Sequence, residues 1–450
     1  MFNSLTFFRD KRLFSIFVFG IASGFPWVMI GSVLTAWLKD ESLSRSAIGL
    51  FGAIFAVYSI NFLWAPLLDR VKPFIQLGQR RGWIAQTQII MILCCGWMST
   101  LDAQVALYQI ALCGLIIAIS SATQDIAIDA FRIDTIGKNE NDTMSAASSL
   151  ATAGWWTGYG GLGAIPFLVA DLPGWDWQQI YLLLAAIMTL CLISTLLAKE
   201  PIVDRASLLA EANHRYQALL NNRTSLLSKV ISWLLISLVE PFREFFQRSG
   251  ARLALQILLF IFLFKIGEAF LGRMSIVFYK EIGFSNSDIG TYSKLLNWWV
   301  TIIFSVIGGM VNIHYGIFRG LLIAGSAMAA SNLMFAWMAE IGPHKGWFVA
   351  TIILDGFTAA WSTVAMVAFI SLLCNRAFSA TQYALMASLS VLSRTLLASS
   401  SGVLVDILGG NWTLFFILTA LMVIPSLFIL YRLRHQIGRI EGERPGNRPR

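Results

Sequence analysis

Twelve stretches of this 450-residue chain are apolar over a length that a helix needs to cross a bilayer, about 20 residues. They run over residues 13–37, 47–68, 83–101, 104–124, 144–170, 178–198, 253–279, 289–311, 319–339, 346–373, 383–405 and 412–431. The runs are continuous and do not alternate with a period of two, so helices are expected and an outer-membrane barrel is excluded. Composition agrees: 13% of residues are charged and 57% hydrophobic, whereas soluble domains are roughly a quarter charged. The expected fold class is all-α, a polytopic membrane protein of twelve spans.

The Lys and Arg residues orient the spans. Arg9, Lys11 and Arg12 precede span 1, and Arg70, Lys72, Arg80 and Arg81 join spans 2 and 3. The alternate loops carry only Lys39, Arg45, Lys280 and Lys345. The positive-inside rule then places both termini in the cytoplasm, in a bacterial inner membrane. The net charge of +8 follows from basic loops facing an anionic leaflet, and no nucleic-acid partner is expected. The first stretch is too long for a signal-peptide core and is read as a retained span. Cys94, Cys95, Cys113, Cys191 and Cys374 fall in spans at no metal-ligand spacing and read as packing residues.

Spans 1–6 and 7–12 form two sets of six, giving expected units at 1–198 and 253–433, a polar connection at 199–252 and a basic tail at 434–450. The connection holds one amphipathic pattern from Asp204 and an apolar patch over Val230–Val239, which is too short to span and is expected along the inner interface. Two six-helix halves with such a connection resemble the major facilitator superfamily. Asp69-Arg70 and Gly78-Gln79-Arg80-Arg81-Gly82 are similar to a stretched form of its loop motif, though simple anchoring of Arg80 and Arg81 at the inner surface explains the same residues. The second half keeps Gly308, Gly309, Gly316 and Arg319, with Asn312 where an acid is expected.

Residues Ser121 to Arg132 carry Gln124, Asp125 and Asp129. The two acids are four apart and share a helix face. They suit a gate, a proton site or a substrate contact, or they simply pair with Arg80, Arg81 or Arg132. This run resembles the fourth helix of AmpG-type muropeptide permeases and the related acetyl-coenzyme A transporters, which carry a similar Gln-Asp-Ile-x-x-Asp. Further similar segments are Asn61 to Arg70, Arg80 to Trp83, Glu240 to Arg243, Lys265 to Phe270 and Ser379 to Leu385, spread over both halves. Some members carry additional hydrophobic segments that this chain lacks.

Buried charge marks the candidate site. Lys265 lies near the middle of span 7 with Glu268 three residues on, Arg394 near the middle of span 11, and Asp355 inside span 10. A charge at mid-bilayer costs about 2.5–3.5 kcal/mol on insertion scales, so such residues face a cavity or pair with one another, and mark substrate or proton pathways. A purely structural Lys265–Glu268 pair is the competing reading, and Arg394 needs an anion, either Glu268 or a substrate carboxylate. Lys294, near Asn297 in span 8, reads as a snorkelling residue. Trp155, Trp156, Tyr159, Trp298 and Trp299 are candidates to stack on sugars, or belong to the interfacial aromatic belts.

No phosphate-binding lysine loop, metal cluster or nucleophile triad occurs, so no cofactor and no enzymatic activity are expected. The resemblance implies a proton-coupled importer of anhydro-muropeptides, expected to act as a monomer. Lys265, Arg394, Glu268 and Gln124 would bind the solute, and Asp125, Glu268 or Asp355 would carry the proton. Asp69, Arg70, Arg80, Arg81 and Asp129 would gate the cytoplasmic side. The alternatives are a siderophore or acetyl-coenzyme A-like cargo, or a membrane sensor that does not transport.

Overall fold

The structure, a computed structural model, describes residues 2–42, 51–137, 140–170, 172–203, 240–284, 288, 292–293, 296–398 and 400–440. The predicted helix from Asp204, the Val230–Val239 patch, Lys294 and residues 441–450 of the basic tail lie outside them.

The described residues build twelve helical spans and no strand. Eight are long and apolar enough to cross a membrane: Lys11–Leu38, Leu107–Thr135, Trp177–Leu197, Ala251–Glu281, Asn297–Tyr315, Ile317–Ile341, Lys345–Leu373 and Trp412–Arg432. These are spans 1, 4, 6, 7, 8, 9, 10 and 12. Span 2 is a chain of short helical pieces over 51–70. Spans 3 (Gln79–Met98), 5 (residues 141–170) and 11 (Ser379–Ala398 with Ser401–Ile407) carry more polar and small residues along their length.

Span 6 shows what the surrounding solvent is. It buries Ile180, Leu184 and Met188 and exposes Leu182, Leu190, Ile193 and Leu197. A helix apolar on every face has only lipid to present its outer face to.

Within the first half, span 5 packs on span 1, and span 3 on spans 4 and 6; within the second, span 9 packs on spans 10 and 12, and span 7 on span 11. Across the halves, span 5 meets spans 8 and 10, and span 11 meets spans 2 and 4. Spans 8 and 9 are joined by Gly316 alone, at φ 86°, where a side chain would be strained. Residues Glu240–Ser249 form a helix that leads into span 7, and Gln382 Nε2 at the start of span 11 donates to its Pro241 carbonyl (2.9 Å) and to Glu244 (2.7 Å).

Small residues allow the closest contact. Gly20 and Gly24 on span 1 face Gly154 and Gly158 on span 5, backbone against backbone. Lipid gives helices no hydrophobic reason to associate, so such packing contacts carry the association. A Cβ on Gly24 would overlap the Trp155 carbonyl, whereas one on Gly96 meets nothing. Gly24→Ala is expected to cost about 1–3 kcal/mol by overpacking and to lower the thermal midpoint in detergent; Gly96→Ala should leave it level or raise it.

Besides the pieces of spans 2 and 11 and the turn at Met422 and Val423 in span 12, distortions interrupt spans 1, 5 and 7. Span 1 has a π-helical turn at Val28–Val33, span 5 another at Thr157–Leu162, and span 7 breaks at Lys265 between Ala251–Phe264 and Ile266–Glu281. Span 4, expected to end at 124, continues to Thr135, because Arg132 and Asp134 on its last turns are buried against partners rather than hydrated.

Candidate functional site

At the break in span 7, Lys265 is 4% exposed. Its ammonium donates to Glu268 (2.7 Å), to Thr363 Oγ1 (2.7 Å) and to the Ala359 carbonyl (3.2 Å), the last two on span 10. An ammonium has three protons, and all three are placed. Asp355 and Arg394 lie within electrostatic range of Lys265, and Glu268 within range of Asp355. Asp355 accepts from Ser331 on span 9 (3.2 Å). Spans 7, 10 and 11 thus bring two cations and two acids into one field.

The pairing inside that field differs from one sequence-based option. Glu268 is held by Lys265, and Arg394 is exposed and makes no ion pair among the described residues. A guanidinium cannot shed its charge, so this one is available to an anion from outside the chain.

In the first half, Asp125 accepts from Ser23 Oγ on span 1 (2.6 Å). Gln124 is fully buried; its amide nitrogen donates to the Ala22 carbonyl (2.7 Å), while its Oε1 has no partner. The expected aromatics cluster here too, with Trp155 against Trp156 and Tyr159. Trp298 reaches across from span 8 to donate to the Trp156 carbonyl (3.1 Å). Trp299 is 57% exposed on the outer surface.

The third group lies at the basic face, the end of the bundle holding Arg70, Arg80 and Arg81. Arg80 is 0% exposed. It donates to Asp69 on span 2 (2.7 Å), Asp134 on span 4 (2.8 Å), Ser379 on span 11 (2.8 Å) and the Leu68 carbonyl (3.0 Å). Asp69 in turn accepts from Thr381, through its backbone N–H (2.9 Å) and its hydroxyl (2.7 Å). An acid of one half therefore caps the first turn of a helix in the other, where a free N–H and the helix dipole both favour negative charge. Ser379 closes the ring by donating to Asp134 (2.9 Å).

The other expected gate residues separate from this ring. Arg81 turns away and donates to the Thr195 and Leu196 carbonyls at the end of span 6, within its own half. Asp129 pairs with Arg132 on the same helix (2.7 Å), and it is Arg132 that crosses to Ser371 (3.2 Å) and lies over the Tyr383 ring. Arg70 is half-buried at the end of span 2. Sequence reasoning missed Asp134, Ser379, Thr381 and Glu200, which accepts the backbone N–H groups of both Arg80 and Arg81. The only signal for Ser379 and Thr381 was their place in a segment similar to the AmpG type.

Residues 13–170 match the family model described as acetyl-coenzyme A transporter 1. A putative transporter AmpG 4 of Rickettsia felis is 33% identical over 432 residues, covering 96% of this chain and 98% of the relative. The anhydromuropeptide permease of Escherichia coli is 31% identical over 435 residues, covering 96% of this chain and 82% of the relative. Among solved structures, the human organic anion transporter MFSD10 superposes with a TM-score of 0.66 at 16% identity, covering 93% of this chain and 98% of that one. The proton:xylose symporter XylE superposes with a TM-score of 0.64 at 14% identity, covering 94% and 96%. At those identities the two structures establish the major facilitator fold and nothing finer.

Proposed function

The chain belongs to the AmpG-type permease family, a membrane-embedded secondary transporter of a small solute, and from that premise we propose that it imports anhydro-muropeptides together with protons. The observation that carries the proposal is the buried Lys265–Glu268 pair with Arg394 left unpaired beside it. A transporter has a use for charges that are expensive to embed.

In this reading the basic face is cytoplasmic and the membrane is the bacterial inner membrane. The ring of Arg80, Asp69, Asp134 and the span 11 N-terminus holds that face closed, and alternating access opens it by rocking one half against the other. A solute carboxylate reaches Arg394 and competes with Glu268 for Lys265. Protonation of Glu268 frees the ammonium for that exchange; Asp355 and Asp125 are the other acids placed to take a proton. Gln124 contributes from the first half, and the transporter works as a monomer.

The family-model match to an acetyl-coenzyme A transporter supports a second cargo, an acyl-coenzyme A, since the same cations suit any large anion. Counterflow separates the two. Proteoliposomes of the full chain, loaded with unlabelled anhydro-muropeptide, acetyl-coenzyme A or a ferric siderophore, are given a labelled trace of the same compound outside. Transient accumulation is expected with the muropeptide only. Accumulation with acetyl-coenzyme A and none with muropeptide would replace the cargo, and binding without counterflow of any compound would indicate a sensor.

A further inference from the structure

The first half contains an aromatic cluster around Gln124 and Asp125, and the proposed function uses none of its rings. The Trp155 and Tyr159 rings stack on one another with centroids 5.2 Å apart and planes inclined by 23°. Trp27 stands edge-on to Trp155 at 5.9 Å, and Tyr58 lies 4.5 Å from Trp27. Trp27, Trp155 and Tyr159 each keep part of their surface accessible.

Beside these rings lie polar atoms that the chain leaves unused. Gln124 Oε1 and Trp27 Nε1 are buried without a partner, while Ser121 and the Tyr58 hydroxyl hydrogen-bond each other, with Asp125 close by. Buried polar groups are nearly always satisfied, and leaving one unmade costs about 1–3 kcal/mol. An acceptor and a donor left open in one cluster call for a ligand that carries both.

The backbone agrees independently. The π-helical turn of span 1 begins at the residue after Trp27, and that of span 5 begins just after Trp155 and Trp156. The two turns face each other, since a Cβ on Gly163 would crowd Val28. Such turns are rare and gather at functional sites.

We infer that this cluster is a pyranose subsite, with Trp155 stacking on the apolar face of a sugar ring and Gln124, Ser121 and Tyr58 bonding its hydroxyl and acetamido groups. It rests on the proposed cargo and divides it. The sugar binds in the first half, and the peptide carboxylates bind at Lys265 and Arg394 in the second.

Two competitors of labelled muropeptide uptake test this in proteoliposomes of the full chain: N,N′-diacetylchitobiose, which has sugar rings and no carboxylate, and the free stem peptide. Trp155→Ala and Gln124→Ala are expected to raise the half-inhibitory concentration of chitobiose about tenfold, the equivalent of one hydrogen bond or ring stack at 1.4 kcal/mol per decade, while the peptide's changes less than about twofold. Tyr58→Phe, which removes only a hydroxyl, serves if either alanine variant does not fold; it should weaken chitobiose and spare the peptide. Variants that reduce both competitors equally, or leave chitobiose unchanged, would overturn the subsite. Muropeptide uptake that chitobiose cannot inhibit overturns the subsite and leaves the cargo standing. Direct binding of chitobiose by a wild type that moves no muropeptide supports the subsite and removes the cargo.

Discussion

Arg80→Ala is expected to open the basic face of the transporter and to lower its thermal midpoint more than any other single substitution considered. Arg80 is fully buried and bonds one element from each of spans 2, 4 and 11. Removing one member of a buried ion pair costs about 3–5 kcal/mol, because the partner stays buried and uncompensated. Here two acids, Asp69 and Asp134, lose their shared cation together. The bonds to Ser379 cross between the halves, so part of the loss falls on the closed arrangement alone. Even about 3 kcal/mol of that kind shifts an equilibrium more than a hundredfold.

Cys374 supplies a native reporter, being 5% exposed behind the same seam, close to Asp69 and Arg132. With the other four cysteines replaced, its alkylation in inside-out vesicles should be slow in the wild-type background and fast in Arg80→Ala. Arg80→Lys should restore only part of the protection, since a single ammonium cannot reproduce a planar fork spanning two acids. Unchanged Cys374 protection together with a wild-type midpoint in Arg80→Ala would show that the ring does not hold this face closed.

The second large effect is expected at the centre. Lys265→Met leaves Glu268, whose side chain is 17% exposed, without its cation and should both destabilise the protein, by less than the roughly 3–5 kcal/mol of a fully buried pair, and abolish uptake. The double variant Lys265→Met with Glu268→Gln removes both charges. Replacing a buried pair by neutral groups is often close to neutral for stability, so its thermal midpoint should return near wild type. Uptake should not return. A charged hydrogen bond is worth about 1.5–3 kcal/mol, so each carboxylate of the solute that goes unbonded weakens affinity roughly ten- to a hundredfold. The cycle separates the two readings of the pair: a structural pair predicts that stability and uptake recover together, and a functional one that they part.

How far the sequence foretold this site depends on how far apart its partners lie in the chain. Span count and fold needed only local runs of apolar residues, so they were readable directly. The Lys265–Glu268 pair was readable for the same reason, its partners being three positions apart in one span. Asp69 and Arg80 stood out in a single loop, but Ser379 and Thr381, about 300 positions away, became their partners only through the docking of one half on the other. Arg81 shows the converse. Adjacent to Arg80 and equally basic, it projects in another direction around the helix and binds the end of span 6. The break at Lys265 had no proline to announce it; it coincides with Gly267 pressed against the Thr419 carbonyl of span 12, a contact visible only in three dimensions.

The central claim is that embedded charge at Lys265, Glu268 and Arg394 couples protons to the movement of an anionic solute. Its most direct test is uptake of labelled anhydro-muropeptide into proteoliposomes under an imposed inward proton gradient, for wild type and Glu268→Gln. The account predicts that the wild type concentrates the solute and loses this on addition of a protonophore, and that Glu268→Gln does not concentrate it even with the gradient intact. Accumulation that is indifferent to the protonophore, or preserved in Glu268→Gln, would contradict the account.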